Sequence, residues 1–251
     1  NFYRRADITV INQGKVFKHL RGDIVRNVPA AVFQSNLDFV AISFVRGPEH
    51  IREVRAFLAE RSASPKIVAK IEDQEAIRNI SSIIDETDVI MIARGDLGIE
   101  VAYEELPIIQ RLIIKKCHAA GKRVIVATHM LESMIENPSP TRAEVTDVAN
   151  AVYEQADAIM LSGESSIGRY PLKCIEVLER ISKRIERSGG LGYGQQVQLR
   201  DERQKTAKAA ATLVDSLPDG RLIVLTRRGV MANHTAMLRP RTSRFYAFAP
   251  T

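Results

Sequence analysis

The stretch "DVIMIARGD" (residues 88–96) predicts a buried strand that ends in charged residues. Its apolar part shows no polar alternation, which is typical of a strand in a parallel sheet with helices on both faces. The tripeptide Arg94-Gly95-Asp96 resembles a cell-adhesion tag, but adhesion loops are polar and exposed, whereas this tripeptide directly follows an apolar strand. We therefore interpret these three residues as a functional strand end.

Four further apolar runs of the same kind occur along the chain: "FVAISF" (39–44), "KIVAKIE" (66–72), "RVIVATHM" (123–130) and "AIMLSGE" (158–164). Amphipathic helical patterns separate them, such as "LPIIQRLIIKKCHAAGK" (106–122). This alternation of strands and helices predicts an α/β fold with a parallel sheet covered by helices.

Polar or charged residues close all five runs. They are Ser43 and Arg46, Lys70 and Glu72, Arg94 and Asp96, Thr128 and His129, and Ser162 and Glu164. In α/β barrels the carboxyl ends of the strands converge on the catalytic face. Chance capping would explain one such end, but five in succession predict an active site at this edge of the sheet.

Lys70 and Glu72 are two residues apart in a predicted strand, so their side chains point to the same face. One interpretation is an ion pair that only holds the strands together. The other is a metal site, in which Glu72 and Asp96 bind Mg²⁺ through hard carboxylate oxygens. In that case Lys70 supplies a positive charge for a transferring phosphoryl group.

Gly95 lies at the predicted transition from strand to short helix, just before Asp96. Glycine lets a ligand approach the backbone, and free N–H groups at a helix start bind carboxylate or phosphate, although a tight turn without function is the alternative. Thr128 offers a hydroxyl that could orient a substrate or relay a proton, but a lone threonine on a strand is more often structural. Further along, Thr141 and Glu144 have the spacing of a helix capping box.

The second part of the chain has a different organisation. The Gly-rich stretch "RSGGLGYGQQ" (187–196) predicts a linker or mobile connection. A small αβαβ unit follows, with a helix over about residues 205–217, the strand "RLIVLT", the helix "GVMANHTAMLRP" and the strand "RFYAFAP".

The composition excludes several classes of function. The chain has 251 residues and a net charge of +6, but its aromatic residues make up only 6% and do not interleave with the basic clusters, so no nucleic-acid platform is predicted. The charge instead fits attraction of small phosphorylated ligands. The apolar runs are too short to span a bilayer. Cys117 and Cys174 have no metal-ligand spacing and favour a reducing, cytoplasmic setting.

Four motifs together resemble the pyruvate kinase family in order and spacing: "KIVAKIEDQEAI", "VIMIARGDLGIEV", "VIVATHMLESMIENPSPTRAEVTDVANAV" and "AIMLSGESSIGRYPL". The resemblance is dense over about residues 37–186, and residues 205–251 are similar to the start of that family's C-terminal domain. It implies a (β/α)8 TIM-type barrel, with five strands visible here. The implied reaction is the glycolytic transfer of a phosphoryl group from phosphoenolpyruvate to ADP, which gives pyruvate and ATP.

The resemblance also implies roles for individual residues. Lys70 is similar to the family's catalytic lysine beside the transferring phosphoryl group, and Glu72 and Asp96 to its ligands for Mg²⁺ (or Mn²⁺). Gly95 and Asp96 are similar in place to the backbone amides that hold the substrate carboxylate. Thr128 resembles the substrate-contacting threonine linked to enolate protonation.

By the same resemblance, Arg94, Ser162 and Glu164 fall on positions next to these groups, where they would hold them in place without being the main substrate contacts. Arg94 is also counted among the catalytic residues. The resemblance also implies a homo-oligomer, a tetramer in this family, in the cytoplasm or in a plastid. A K⁺ requirement is possible, with ligands on segments that find no match in this sequence.

The chain departs from the family's pattern at several positions. Asp73 follows "KIE" where Asn or another uncharged or basic residue is common, and His129 replaces a frequent Gln. A loop that could hold an effector phosphate lacks the usual Arg-Ser after its glycine, which leaves sugar-phosphate regulation open. Its residues are Thr226, Arg227, Arg228 and Gly229.

Three barrel strands have no counterpart in the sequence, so we expect it to join segments of a longer chain. The predicted division is a remnant of the mobile lid and hinge (1–25), the second half of the barrel (26–186), a linker (187–204) and the start of a C-terminal αβ regulatory domain (205–251).

Two other functions stay open. A Mg²⁺-dependent lyase (aldolase) of the phosphoenolpyruvate/pyruvate type also places its metal between Glu and Asp, but it lacks an appended αβ unit and needs no lysine two residues before the glutamate. A non-catalytic pyruvate kinase-like subunit is the second alternative. The presence of Lys70, Glu72, Asp96 and Thr128 argues against it.

Overall fold

The computed structural model describes residues 38–240 and 244–250. The predicted lid remnant, residues 1–25, lies outside the described residues, as do residues 26–37 of the predicted barrel half.

Five parallel strands form one sheet and pair in chain order. They are β1 (Phe39–Ile42), β2 (Lys66–Ile71), β3 (Val89–Ala93), β4 (Arg123–Ala127) and β5 (Ala158–Met160). This confirms the predicted parallel α/β fold. Each strand ends earlier than the apolar runs suggested, because the chain turns out of the sheet at its carboxyl end. Phe44 and Thr128 have positive φ angles of 54° and 70°, and a helix begins at Arg94.

Helices follow each strand and cover one face of the sheet. They are α1 (Pro48–Ala59), α2 (Gln74–Arg78), α3 (Ile80–Glu86), α4 (Arg94–Glu100), α5 (Leu106–Ala120), α6 (Arg142–Tyr153), α7 (Gly163–Ser166) and α8 (Pro171–Glu186). A short 3₁₀ helix, Glu132–Ile135, precedes α6. The sheet and its helices therefore form a β/α-barrel-type layer.

Alternate residues of each strand divide between two apolar clusters. The helix-covered face of β2 contributes Ile67 and Ile71 to the large core that includes the buried sides of the helices. The opposite face contributes Val68 to a smaller cluster with Met91 and Ala127. Lys70 follows Val68 by two residues, so it belongs to this second face, which corresponds to the interior of a barrel.

The Gly-rich segment after α8, predicted as a linker or mobile connection, makes contacts with the barrel. Tyr193 is buried and its ring centroid lies 6.1 Å from that of His118 on α5. The backbone N–H of Leu191 donates to the Tyr153 carbonyl at 3.0 Å. Tyr193 provides the packing in this Gly-rich stretch, because its ring buries apolar surface that the glycines lack.

The C-terminal unit contains α9 (Glu202–Asp215), β6 (Arg221–Leu225), α10 (Val230–Met237) and β7 (Arg244–Phe248). The two strands pair in parallel, which confirms the appended αβ unit. Helix α9 begins at Glu202, three residues before the predicted start, because the Asp201 side chain accepts a hydrogen bond from the Gln204 N–H at 2.8 Å and caps the helix. The domain boundaries stay predictions.

The C-terminal unit meets the barrel at the amino ends of β4 and β5. Arg239 donates to the Gln155 carbonyl at 2.6 Å and to Asp157 at 2.9 Å. The Gln155 carbonyl also lies 2.7 Å from His118 Nε2. Burial lowers the pKa of His118, so the neutral imidazole donates its Nε2 proton to this carbonyl. Asp157 in turn accepts from the Val124 N–H at 2.9 Å, which ties the junction to β4.

Glu144 organises the loop between β4 and α6, and it confirms the predicted capping box. Its carboxylate accepts hydrogen bonds from the N–H and hydroxyl of Thr141 at 2.7 and 2.9 Å. It also accepts from the N–H and hydroxyl of Ser133 at 2.6 and 2.5 Å. Desolvation raises the pKa of this carboxyl, but these hydrogen bonds outweigh it, so the pKa lies below the ordinary value.

We expect Glu144→Gln to lower the free energy of unfolding at neutral pH by about 1–2 kcal/mol, because charge-assisted hydrogen bonds are lost. A lowered folded-state pKa means that the contribution is complete above the ordinary Glu pKa and is lost as pH falls through the folded value. The difference between wild type and variant should therefore shrink in acid. Urea unfolding at pH 7 and at about pH 3 checks this.

Glu136→Gln is the matched control, since Glu136 forms only an exposed ion pair with Arg169. Its effect should stay below about 1 kcal/mol. A Glu144→Gln difference that grows in acid would contradict the assignment.

Candidate active site

Lys70 and Glu72 meet at the carboxyl end of β2. Lys70 Nζ lies 2.5 Å from Glu72 Oε1 and 3.0 Å from the Ser43 hydroxyl. Glu72 is 1% exposed, and its Oε2 accepts a hydrogen bond from the Phe44 N–H at 2.5 Å. Phe44 itself has a positive φ angle of 54°, so this hydrogen bond lies where the chain leaves the sheet after β1. The ion pair that the sequence left open is therefore present, and it lies at the edge where the strands end.

Asp96 and Gly95 lie in the first turn of α4, directly after β3. Asp96 is exposed, whereas the Gly95 N–H donates to the Thr128 hydroxyl oxygen at 2.7 Å. A Cβ built on Gly95 would come within 3.4 Å of that oxygen and 3.7 Å of the His129 ring. Gly95 is thus enclosed by the β4 turn, and a side chain there would line the surface next to Thr128.

Thr128 and His129 form a left-handed turn after β4, with φ angles of 70° and 53°. A β-branched residue rarely adopts this conformation, which costs on the order of 1–3 kcal/mol and persists only where surrounding contacts impose it. The Thr128 hydroxyl donates to the Ala127 carbonyl at 2.6 Å while it accepts from Gly95. The strained turn therefore fixes the hydroxyl between β3 and β4.

The Arg94 side chain stabilises this turn by hydrogen bonds to its carbonyl oxygens. Its guanidinium is buried and donates to the Thr128 carbonyl at 2.7 Å and to the His129 carbonyl at 3.0 Å. It also forms an ion pair with Asp147 on α6 at 2.8 Å. Arg94 therefore contacts the backbone of the Thr128–His129 turn, and its predicted role in the reaction stays a prediction.

Ser162 and Glu164 shape the end of β5. Glu164 is buried and accepts from the Ser162 N–H at 2.8 Å and from the Leu131 N–H at 3.0 Å. It thereby joins the loops that follow β4 and β5. The Ser162 hydroxyl is a buried polar group without a hydrogen-bond partner among the described residues.

The carboxylates of Glu72 and Asp96 are the chemical type of ligand that a divalent cation prefers. Glu72 Oε1 has no hydrogen bond of regular geometry within the described residues, although Lys70 Nζ lies 2.5 Å away, and Asp96 is exposed one strand further along. The described part of the chain holds no cluster of three or more His, Cys, Asp or Glu side chains placed for a metal. Two carboxylates with the other positions left to water or substrate oxygens match the ligand preference of Mg²⁺.

The predicted effector loop does not belong to this site. Residues Thr226 to Gly229 lie in the C-terminal unit between β6 and α10, where Gly229 has a φ angle of 74° and caps α10. Arg227 and Arg228 are exposed. A separate cavity of about 250 Å³ lies at the junction of the two units, with Gln155, Gln195, Lys208 and Arg239 among its lining residues, and it too is remote from the strand ends.

Sequence reasoning missed the residues that hold Arg94. Gln110 lies on α5 with its side-chain oxygen 3.4 Å from Arg94 Nη1, and Asp147 pairs with Arg94 from α6. Gln110 has the helical spacing of the buried residues Ile113 and Ile114, so a polar residue in an apolar stripe was the available signal. Nothing in the local pattern marked Asp147.

Burial raises the pKa of both Cys117 and Cys174, so these thiols are protonated and unreactive at neutral pH. Among the residues that the structure describes, none of the helices combines the length and apolarity needed to cross a membrane. Asp73, an unusual residue after "KIE", caps α2 through the Ala76 N–H at 2.9 Å and pairs with Arg46 at 2.8 Å.

The parallel strands and the polar groups at their carboxyl ends define a β/α-barrel protein with its site on the strand-end face. Residues 23–175 match the family model described as "Pyruvate kinase, barrel domain". The chain belongs to the pyruvate kinase family.

Relatives from distant organisms agree with this assignment. A pyruvate kinase of Clostridium perfringens is 45% identical over 201 residues, which cover 74% of this chain and 42% of that protein. A pyruvate kinase of Dictyostelium discoideum is 46% identical over 178 residues, or 67% of this chain and 35% of that protein. The chloroplastic pyruvate kinase isozyme G of Ricinus communis is 41% identical over 216 residues, 85% of this chain and 51% of that protein. The chain spans about half the length of these relatives or less.

We expect Arg94→Met to lower the free energy of unfolding by about 2–4 kcal/mol, because it leaves the two turn carbonyls and the buried Gln110 amide oxygen without a donor. Arg94→Lys keeps the charge but loses the planar guanidinium, so its free energy of unfolding should lie between those of Arg94→Met and wild type. Arg52→Met, which breaks an exposed pair with Glu86, is the control and should cost less than about 1 kcal/mol. Thermal and urea unfolding measure all three, and equal effects at Arg94 and Arg52 would show that the guanidinium does not hold the turn.

Proposed function

We propose that this chain is the catalytic-barrel portion of an enzyme that transfers the phosphoryl group of phosphoenolpyruvate to ADP and so forms pyruvate and ATP. The observation that carries the proposal is the pairing of Lys70 with the buried Glu72 at the strand-end face, one strand from Asp96. Family membership supports it. An ammonium beside carboxylates suits a phosphoryl group, whose oxygens gather charge in the transition state.

Lys70 would contact the transferring phosphoryl group. Its Nζ is held by Glu72 and by the Ser43 hydroxyl, so its position is fixed before any substrate arrives. Preorganised charge of this kind needs no rearrangement at the moment of reaction. Ser43, the residue after β1, and Glu72, the residue after β2, would thus orient the ammonium together.

Glu72 and Asp96 would hold a divalent cation, Mg²⁺ or Mn²⁺. When bound, the cation would neutralise charge on the phosphoryl oxygens and the enolate oxygen. The buried Glu72 contributes one fixed oxygen, because its Oε2 is already held by the Phe44 N–H. A K⁺ requirement stays a prediction.

Gly95, Asp96 and Thr128 would bind the substrate. The helix start at Arg94 places the backbone N–H groups of Gly95 and Asp96 at the strand-end face, where they suit a carboxylate. The Gly95 N–H donates to the Thr128 hydroxyl, so a substrate carboxylate that takes this N–H would free the hydroxyl to act near the enolate carbon. Arg94, Ser162 and Glu164 would hold the surrounding turns.

Other properties of the whole protein belong to the same proposal. A homo-oligomer, a tetramer in this family, stays a prediction, and the exposed apolar side chains of Ile108 and Leu112 on α5 are a surface that a contact with other chain segments would cover. An effector phosphate could bind the loop of Thr226 to Gly229, supported by its two exposed arginines. A cytoplasmic or plastid location and the absence of nucleic-acid and membrane partners stay predictions.

We expect Lys70→Met in the full-length protein to lower kcat by about 10²–10³-fold, because a fixed positive charge is removed from the transition state. Coupled measurement of ATP formation from phosphoenolpyruvate and ADP tests this. Lys66→Met is the matched control, since Lys66 begins the same strand at its opposite end and is exposed. Unchanged turnover in Lys70→Met would refute the phosphoryl-transfer role, and aldol cleavage without ATP formation would favour a lyase.

We expect Glu72→Gln and Asp96→Asn each to weaken Mn²⁺ binding by about tenfold or more, as changes around metal ligands do. Electron paramagnetic resonance of free Mn²⁺ measures the affinity without turnover. Glu75→Gln, an exposed carboxylate on the neighbouring α2, is the control and should bind normally. Wild-type affinity in both Glu72→Gln and Asp96→Asn would exclude these residues as ligands.

A further inference from the structure

The Arg94 guanidinium divides its contacts between two sides. Its Nε and Nη2 atoms face the Thr128–His129 turn and donate to both carbonyls. Its Nη1 atom faces away from the site, toward Asp147 at 2.8 Å and Gln110 Oε1 at 3.4 Å. The plane of the guanidinium is rigid, so whatever holds Nη1 also sets the direction of the donors that impose the turn.

Gln110 is buried among apolar residues of α5, with 4% of its surface exposed. Its amide oxygen faces Arg94, and its Nε2 donates to Glu154 Oε2 at 2.9 Å. The orientation of this amide is forced, because a guanidinium offers only donors and an ionised carboxylate only acceptors. Gln110 therefore separates a buried cation from a buried anion and satisfies both.

Glu154 anchors the other end of this bridge. It is 3% exposed and accepts from the exposed Arg111 at 3.0 Å as well as from Gln110. It lies at the end of α6, one residue before Gln155, whose carbonyl accepts from Arg239 of the C-terminal unit. The bridge thus joins the turn at the site to the interior of the helical layer.

We propose that Gln110 is a positioning residue for the reaction: its amide, fixed by Glu154, orients Arg94 and thereby aims the Thr128 hydroxyl. The proposal rests on the proposed function, in which Thr128 acts near the enolate carbon. Gln110 itself touches neither substrate nor metal.

The first test is a double-mutant cycle between Gln110→Met and Thr128→Ala in the full-length protein. Met fills a similar volume but offers no amide. We expect Gln110→Met to lower kcat by about tenfold, because small misplacements of reacting groups are costly, while the KM for phosphoenolpyruvate changes by less than about threefold. In the Thr128→Ala background the same change should have little further effect, since residues that act through one group are not additive.

The second test exchanges the two partners. Gln110→Glu alone sets two buried carboxylates against each other, whereas Gln110→Glu with Glu154→Gln restores a carboxylate–amide pair in reverse order. We expect the double variant to recover kcat to within about threefold of wild type, because both donors and both acceptors again find partners. This variant keeps the proposal testable if Gln110→Met does not fold.

Lys116→Met is the control on the same helix, where it removes an exposed 2.7 Å hydrogen bond to Ser81, and its kcat should equal that of wild type. Multiplicative effects of Gln110→Met and Thr128→Ala, or a swapped pair no better than Gln110→Glu alone, would overturn the positioning role. A wild-type protein that forms no ATP, or a Thr128→Ala variant with full activity, would instead count against the proposed function.

Discussion

The burial of the Arg94 guanidinium is the constraint on which the strand-end face depends. A charge this deeply buried is costly unless each donor finds an acceptor. The acceptors are the two carbonyls of the Thr128–His129 turn, together with Asp147 and Gln110. The same hydrogen bonds therefore stabilise the strained backbone of Thr128 and replace the lost hydration of the buried Arg94 cation. The same turn encloses Gly95, so the ends of β3 and β4 are fixed together.

A second buried charged group, Glu72, lies at the end of β2 and pairs with Lys70. Lys70 and Glu72 neutralise each other, yet only one carboxylate oxygen is held by the backbone. The other oxygen contacts the Lys70 ammonium, and in the proposed function it would also be a ligand of the cation. Asp96, exposed on the next element, adds negative charge without a second buried carboxylate. The arrangement keeps the desolvated charge near zero before a ligand binds, which limits the cost of holding reactive groups together.

Much of this could be predicted from local pattern. Apolar runs gave the parallel strands, the period of two placed Lys70 and Glu72 on one face, and the spacing of Thr141 and Glu144 gave the capping box. The positive φ angles of Thr128 and Phe44 could not be predicted, because contacts distant in sequence impose them. Gln110 and Asp147 were missed for the same reason: each acquires its role from Arg94, which lies 16 and 53 residues away. The packed linker depended on a single aromatic side chain, Tyr193.

Asp157 and Arg239 join the C-terminal unit to the barrel at the amino ends of β4 and β5, whereas Thr128 and Ser162 stand at the carboxyl ends of the same strands. In barrels the amino ends serve stability and the carboxyl ends serve chemistry. The attached unit and the strand-end side chains are therefore on opposite edges of the same sheet. A substitution at the Asp157–Arg239 contact would change how the unit is attached without removing a side chain from the strand-end face.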